Sequence, residues 1–160
     1  MRIGEVAVIS YDTHENEAFI RSICKKIDIK EQSLSFGHFD INDQLALYLY
    51  GISVDQKSLS FDLISRKTLG FVIIFNWEDK KALEITKPVI DYFSRKYNAP
   101  IIIVANIEDI KDPPIPNKFF ELEGIPLSPN SRFTFGQIDD PESARNVMIL
   151  LINMLIEKLS

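Results

Sequence analysis

Cysteine is almost absent from this chain: Cys24 is the single one among 160 residues. One thiol excludes a disulfide framework and a thiolate metal cluster, and it fits a reducing compartment. Histidine is nearly as scarce. His14 and His38 lie far apart with no companion at ligand spacing, so neither zinc nor any other metal site is expected. An excess of positive charge is also lacking. Against 23 Asp and Glu stand 18 Lys and Arg, a formal charge of −5, which leaves no basic stripe to grip nucleic acid or an anionic membrane. No run approaches the ~18 apolar residues of a spanning helix, and the opening MRIGEVAVIS turns acidic before a long apolar stretch accumulates. A cytoplasmic protein is the expectation. Repeats, low-complexity tracts and a dividing linker are missing too, so residues 1–160 read as one domain.

What is present is an alternation of strand-like and helix-like segments. Val6 to Ile9 is a β-branched run, followed by a polar loop and an amphipathic stretch from Asn16 to Ile27 that carries Phe19, Ile20, Ile23 and Cys24 on one stripe. On such a stripe a small thiol fills core space. Leu34 to Ile41 and Leu45 to Tyr50 read as an antiparallel hairpin across Asn42, Asp43 and Gln44. Gly51 to Gln56 reads as a polar loop and Ser58 to Lys67 as weakly helical. Phe71 to Phe75 and Ile101 to Val104 are continuous apolar runs of the kind buried on both faces of a sheet. Asp79 to Tyr97 reads as a helix with Ala82, Ile85, Val89, Ile90 and Phe93 inward. Phe119 to Leu122 suggests a short helix and Arg132 to Phe135 a last strand. A final helix spans Pro141 to Leu159, capped by Asp140, with Met148, Leu151, Ile152, Leu155 and Ile156 inward. The pattern predicts an α/β fold: a mostly parallel six-stranded sheet with one antiparallel strand and helices on both faces.

The stretch FGHFDINDQLALYLYGISVDQ, Phe36 to Gln56, resembles a segment of prokaryotic Ras-like GTPases, the MglA-like and conservon-type ATP/GTP-binding proteins. IIIVAN followed by Ile107, Glu108 and Asp109 is similar to that family's Asn-x-x-Asp base-recognition motif, and PVIDYF, Pro88 to Phe93, to its third helix. The resemblance implies a P-loop NTPase-like, Ras-like G domain over the whole chain.

The same alignment sets Ser10-Tyr11-Asp12-Thr13-His14-Glu15-Asn16-Glu17 on the phosphate-binding pattern G-x-x-x-x-G-K-[ST]. Every signature residue differs. Ser10 and Glu15 stand at the glycines, Asn16 at the lysine and Glu17 at the hydroxyl that holds magnesium. A carboxylate about 4 Å from a phosphate charge costs up to roughly 4 kcal/mol at an effective dielectric near 20, and Asp12, Glu15 and Glu17 all bring one. In the second switch the family's GTPGQ is replaced by Gly51-Ile52-Ser53-Val54-Asp55, so Val54 stands at the γ-phosphate glycine and Asp55 at the water-positioning glutamine. No catalytic residue is expected, because phosphoryl transfer depends on that positioning.

The base side keeps Asn106 and Asp109, with Gly136 in the region of the family's final base contact. These residues imply a vestigial guanine site, or else Asn106 ties neighbouring loops and Asp109 opens a solvated turn before Pro113. Trp77 either caps the cleft or anchors a partner, or packs at the rim. The expectation is a pseudo-GTPase without a cofactor, acting as an interaction and signalling module through the Gly51 to Lys67 region and the segment before Phe36. In active relatives such surfaces bind roadblock-type regulators and polarity or signalling proteins. The alternative is a slow or non-hydrolysing switch that holds GTP or GDP with magnesium.

Overall fold

Val6, Ala7, Val8 and Ile9 are all fully buried, as a continuous apolar strand must be when both of its faces are covered. They form the middle of β1 (Arg2–Ser10), the central strand. The computed structural model describes residues 2–24, 27–30, 34–54, 67–114, 125 and 127–159. Within them run α1 (Thr13–Ile23), β2 (Ile27–Lys30), β3 (Leu34–Asp40), β4 (Leu45–Ser53) and β5 (Thr68–Asn76). There follow α2 (Lys80–Lys96), β6 (Ile101–Asn106), β7 (Ser131–Gly136) and α3 (Pro141–Leu159).

The strands make one seven-stranded sheet in the order β2-β3-β4-β1-β5-β6-β7. β1 pairs in parallel with β4 and β5, β5 with β6 and β6 with β7, while β3 runs antiparallel to both of its neighbours. Six of these are the strands read from sequence, with the one antiparallel member expected; β2 is a short addition at the edge. The β3–β4 hairpin turns at Asn42, whose Oδ1 accepts from the N–H groups of Gln44 (2.7 Å) and Leu45 (2.9 Å).

Alternation along the strands divides the core. Ala7, Ile9, Phe71, Ile73 and Phe75 face α2, which brings Leu83, Val89, Ile90 and Phe93. Val6, Val8, Val72, Ile74 and Val104 face α1 and α3, which bring Phe19, Ile20, Met148 and Leu151. Cys24 caps α1 within this second core, close to Gly37, and burial pushes its thiol up to about 11. Asp79 starts α2 by accepting from the N–H groups of Lys81 and Ala82, and Asp140 starts α3 by accepting from that of Ser143.

Several expectations need correction. Gly51, Ile52 and Ser53 continue β4, paired with Val8, Ile9 and Ser10, where a polar loop was expected. All three are buried, which is what draws them into the sheet. The first helix ends at Ile23 rather than Ile27. Ile85 is 38% and Ile156 is 58% exposed, so neither is an inward residue; the sheet side of α3 is Ala144, Val147, Met148, Leu151 and Met154. The helices expected at Ser58 to Lys67 and Phe119 to Leu122 lie outside the described residues, Lys67 apart.

Candidate functional site

The parallel strands all deliver their carboxyl ends to one edge of the sheet. There β1 leads to α1 on one face and β5 leads to α2 on the other, opening the crevice in which α/β sheets hold ligands. A cleft of about 360 Å³ lies at this point, bounded by Tyr11, Asp12, Glu15, Asn76, Asp79 and Asn106, with Glu108 and Asp139 beyond. Asp12, Glu15, Asp79, Glu108 and Asp139 line it with carboxylates, and among the described residues its lining contains no Lys or Arg. Burial first, and then the charges of Asp12 and Asp79, push Glu15 up to about 7. Its Oε2 is shielded from solvent and has no hydrogen-bond partner among the described residues.

The residues aligned with a phosphate loop do gather here, but not as a loop. Only Tyr11 and Asp12 separate β1 from α1, because Asp12 is an N-cap: its backbone is extended and its carboxylate accepts from Glu15 N–H at 3.3 Å. From Thr13 onward the segment is helix, so α1 begins three residues before Asn16, where the amphipathic stretch was expected to start. Asn16, at the lysine position, is wholly buried. Its backbone N–H donates to Ser10 Oγ at 3.1 Å. Its Nδ2 is shared among Ser10 Oγ (3.0 Å), the carbonyls of Asp12 and Ile52 (both 3.3 Å) and Ser53 Oγ (3.4 Å). Ser10 in turn donates to the Asp12 carbonyl, and the Thr13 and Ser53 hydroxyls meet at 2.9 Å. Two of the N–H groups that an anion cradle at this helix start would use, those of Glu15 and Asn16, are therefore engaged by the chain's own Asp12 and Ser10. Glu17 turns along the helix surface to pair with Arg21 at 2.6 Å.

Gly51 lies beneath the Asn16 amide, and Val54 is half buried against the core under α2. Asp55 lies outside the described residues. Asn106 ends β6, where its Oδ1 accepts from Ile138 N–H at 3.0 Å and its carbonyl accepts from Trp77 N–H at 3.0 Å. It thereby joins the loops after β5, β6 and β7. Asp109 accepts from Lys111 N–H at 3.0 Å, in a turn beyond the cleft lining. Gly136 pairs with Asn106, and a β-carbon there would stand 2.9 Å from Val104 Cγ1. Trp77 is 4% exposed and packs edge-on to Phe135 with ring centroids 5.0 Å apart.

Reasoning from the sequence missed Thr13 and Ser53 as partners, and Asp79, Glu108 and Asp139 as cleft residues. A signal was present: each acidic residue follows within a few positions of a parallel strand's end.

No protein-family profile and no curated protein sequence matches the chain. Among solved structures, the protein described as nucleolar GTP-binding protein 1 from Plasmodium falciparum is similar in fold. Its TM-score is 0.69 at 13% identity, over 98% of this chain and 88% of that one. The chain thus has a P-loop NTPase-like α/β fold. At that identity the likeness concerns the fold, and the site speaks through its own residues.

Proposed function

We propose that the chain is a pseudo-GTPase, a degenerate relative of the prokaryotic Ras-like GTPases that serves as a protein-interaction and signalling module. The observation that carries this reading is Asn16. It stands where a phosphate-binding lysine belongs, is wholly buried, and uses its amide to tie α1 to the ends of β1 and β4. Among the described residues, a triphosphate placed at this corner meets no Lys or Arg in the cleft lining, and the Glu15 and Asn16 N–H groups are already engaged. It also meets the carboxylates of Asp12, Glu15 and Asp79. One such carboxylate near 4 Å costs about 4 kcal/mol at an effective dielectric of 20, close to a thousandfold in affinity.

With the corner closed by the chain itself, the end of β4 is held to α1 without a γ-phosphate. The function follows as recognition by a fixed conformation, rather than the order-to-disorder change of nucleotide switches. The partner is a protein of the roadblock or polarity-signalling kind, met through the Gly51 to Lys67 region and the segment before Phe36; residues 55–66 of the first, and 25–26 and 31–33 of the second, lie outside the described residues.

The test is a thermal-shift titration with GTP, GDP and ATP, with and without magnesium, checked by calorimetry. A flat melting temperature at millimolar nucleotide is expected. A guanine-selective, magnesium-dependent rise overturns the reading in favour of a nucleotide switch, since a ligand at one hundred times its Kd adds about 2.7 kcal/mol.

A further inference from the structure

β7 is the last strand of the sheet and pairs with β6 alone among the described residues. Along a strand, the backbone groups of alternate residues point to opposite sides. Ile101 N–H donates to the Asn130 carbonyl and Ile107 N–H to that of Gly136, so Asn130, Arg132, Thr134 and Gly136 turn theirs toward β6. Phe133 and Phe135 turn theirs outward. Of these outward groups only the Phe135 carbonyl has a partner among the described residues, the Thr134 hydroxyl at 3.1 Å. An open edge is ordinarily protected by Lys, Pro or a bulge within the strand. Ser131–Gly136 holds neither Lys nor Pro, and its register with β6 is unbroken.

We propose that this edge pairs with the same edge of a second copy, antiparallel about a two-fold axis at Thr134, so that the two sheets continue into one. An unpaired strand edge accepts another extended strand, and here the strand complements itself. With Thr134 facing Thr134, Phe133 of each copy lies opposite Phe135 of the other and exchanges both backbone hydrogen bonds with it. Both phenyl rings lie on the α2 side, so each opposed pair is also an aromatic cross-strand pair. On the α3 side Arg132 lies opposite Gly136, where Val104 leaves no space for a β-carbon and the arginine stem crosses bare backbone.

Charge selects the antiparallel sense. The exposed Arg132 stands at the start of β7, and Lys158 is brought there by its bond to the Asn98 carbonyl, Asn98 being joined to Asn130; Glu157 is the acidic exception. Beyond the end of β7 stand Asp139, Asp140 and Glu142, with Arg145 the basic exception. The turn after β6 has the same sign, with Glu108, Asp109 and Asp112 against Lys111. Antiparallel pairing sets the basic start of one strand beside the acidic end of the other, twice, as an isologous contact requires. Parallel pairing sets like beside like. The contact is one strand of six residues, short of the roughly 800 Å² per partner of a standard interface, so the dimer is weak and reversible.

Sedimentation equilibrium on the whole chain, from about 10 µM to 1 mM, is expected to show a monomer–dimer equilibrium. Thr134→Lys, which sets two ammonium groups face to face across the axis, is expected to stay monomeric with the wild-type circular dichroism. Arg132→Glu is expected to weaken the dimer about tenfold. Thr134→Cys keeps the test independent of how the lysine variant folds. Opposed residues of this kind have α-carbons about 4.5 Å apart, so mild oxidation is expected to give a disulfide-linked dimer. Arg132→Cys is expected to give none, since the two positions 132 lie about 14 Å apart along the strands, and Cys24 is buried. A wild-type chain that is monomeric over the whole range overturns the proposal and leaves the edge to a strand of another protein. A Thr134→Lys variant that dimerises as the wild type does, or cross-linking no faster at position 134 than at 132, overturns it too.

Discussion

A β-carbon added to Gly51 would stand 2.3 Å from Oδ1 and 2.8 Å from Cγ of Asn16. Position 51 is thus open to the Asn16 amide because it carries no side chain. Gly51→Ala is expected to cost about 1–3 kcal/mol, the usual penalty for overfilling a packed site. Asn16→Ala is expected to cost a similar amount, about 1–3 kcal/mol, by removing the side-chain donor to the Ile52 carbonyl and one of the two donors to Ser10 Oγ, the backbone N–H of residue 16 remaining. In the double variant the clash is gone, so the losses fall short of additive by about 1 kcal/mol. Urea denaturation of the four proteins measures this coupling, and strict additivity would contradict the contact.

Glu15 makes stability depend on pH with a definite sign. Its folded pKa is raised from 4.5 to about 7, so between those values the folded chain binds a proton more tightly than the unfolded one. Stability contributed by the protonated carboxyl is complete near pH 4.5, declines as pH rises through 7, and is lost above it. Glu15→Gln removes the titration. The variant should therefore match the wild type near pH 4.5 and exceed it above pH 7, by about 1–2 kcal/mol after discounting for a side chain partly open to solvent. Melting curves of both proteins from pH 4.5 to 8.5 check this; a gap that grows toward acid pH would show that the carboxylate is stabilised here.

Much of the fold was legible because its strongest signals are physical ones. Phe71 to Phe75 and Ile101 to Val104 are apolar throughout since the sheet is covered on both faces, and Asp140 before Pro141 marks the start of α3. Helical periodicity groups residues onto faces, yet it does not say which apolar face the sheet covers; Ile85 and Ile156 were misplaced for that reason. β2 pairs over only four residues, Ile27–Lys30, too few to leave a pattern. At the candidate site the types of residue were visible, but their hydrogen bonding was not. Asp12-Thr13-His14-Glu15 carries the spacing of a helix N-cap, and alignment to a phosphate loop concealed it. That Ser10 and Ser53 end neighbouring strands in register became apparent only with the β1–β4 pairing.

Asn106 and Asp109 should separate by their effect on stability. Asn106 Oδ1 is held by Ile138 N–H at 3.0 Å across the loops that frame α3, so Asn106→Ala should lower stability by about 1–2 kcal/mol. Among the described residues the Asp109 carboxylate accepts only within its own exposed turn, from Lys111 N–H, and Asp109→Ala should stay within about 0.5 kcal/mol of the wild type. Guanine nucleotide should leave both differences unchanged. If GTP stabilises the wild type but neither variant, the two residues act together as a base site.

Restoring the lysine alone should not restore binding. Asn16→Lys would place an ammonium in a site that is 0% exposed, facing the Ile52 carbonyl and Ser53 hydroxyl rather than the cleft. The helix would still begin at Thr13, and Asp12 would still engage the Glu15 N–H that a phosphate requires. The expected outcome is a chain less stable by about 3 kcal/mol or more, the order of cost for an unpaired buried charge, with no added response to GTP. Calorimetric titration with GTP and magnesium, beside a urea melt, measures both. Tight binding by this single variant would mean that the corner is a phosphate site short of one charge, and that the network around Asn16 rearranges readily to admit a ligand.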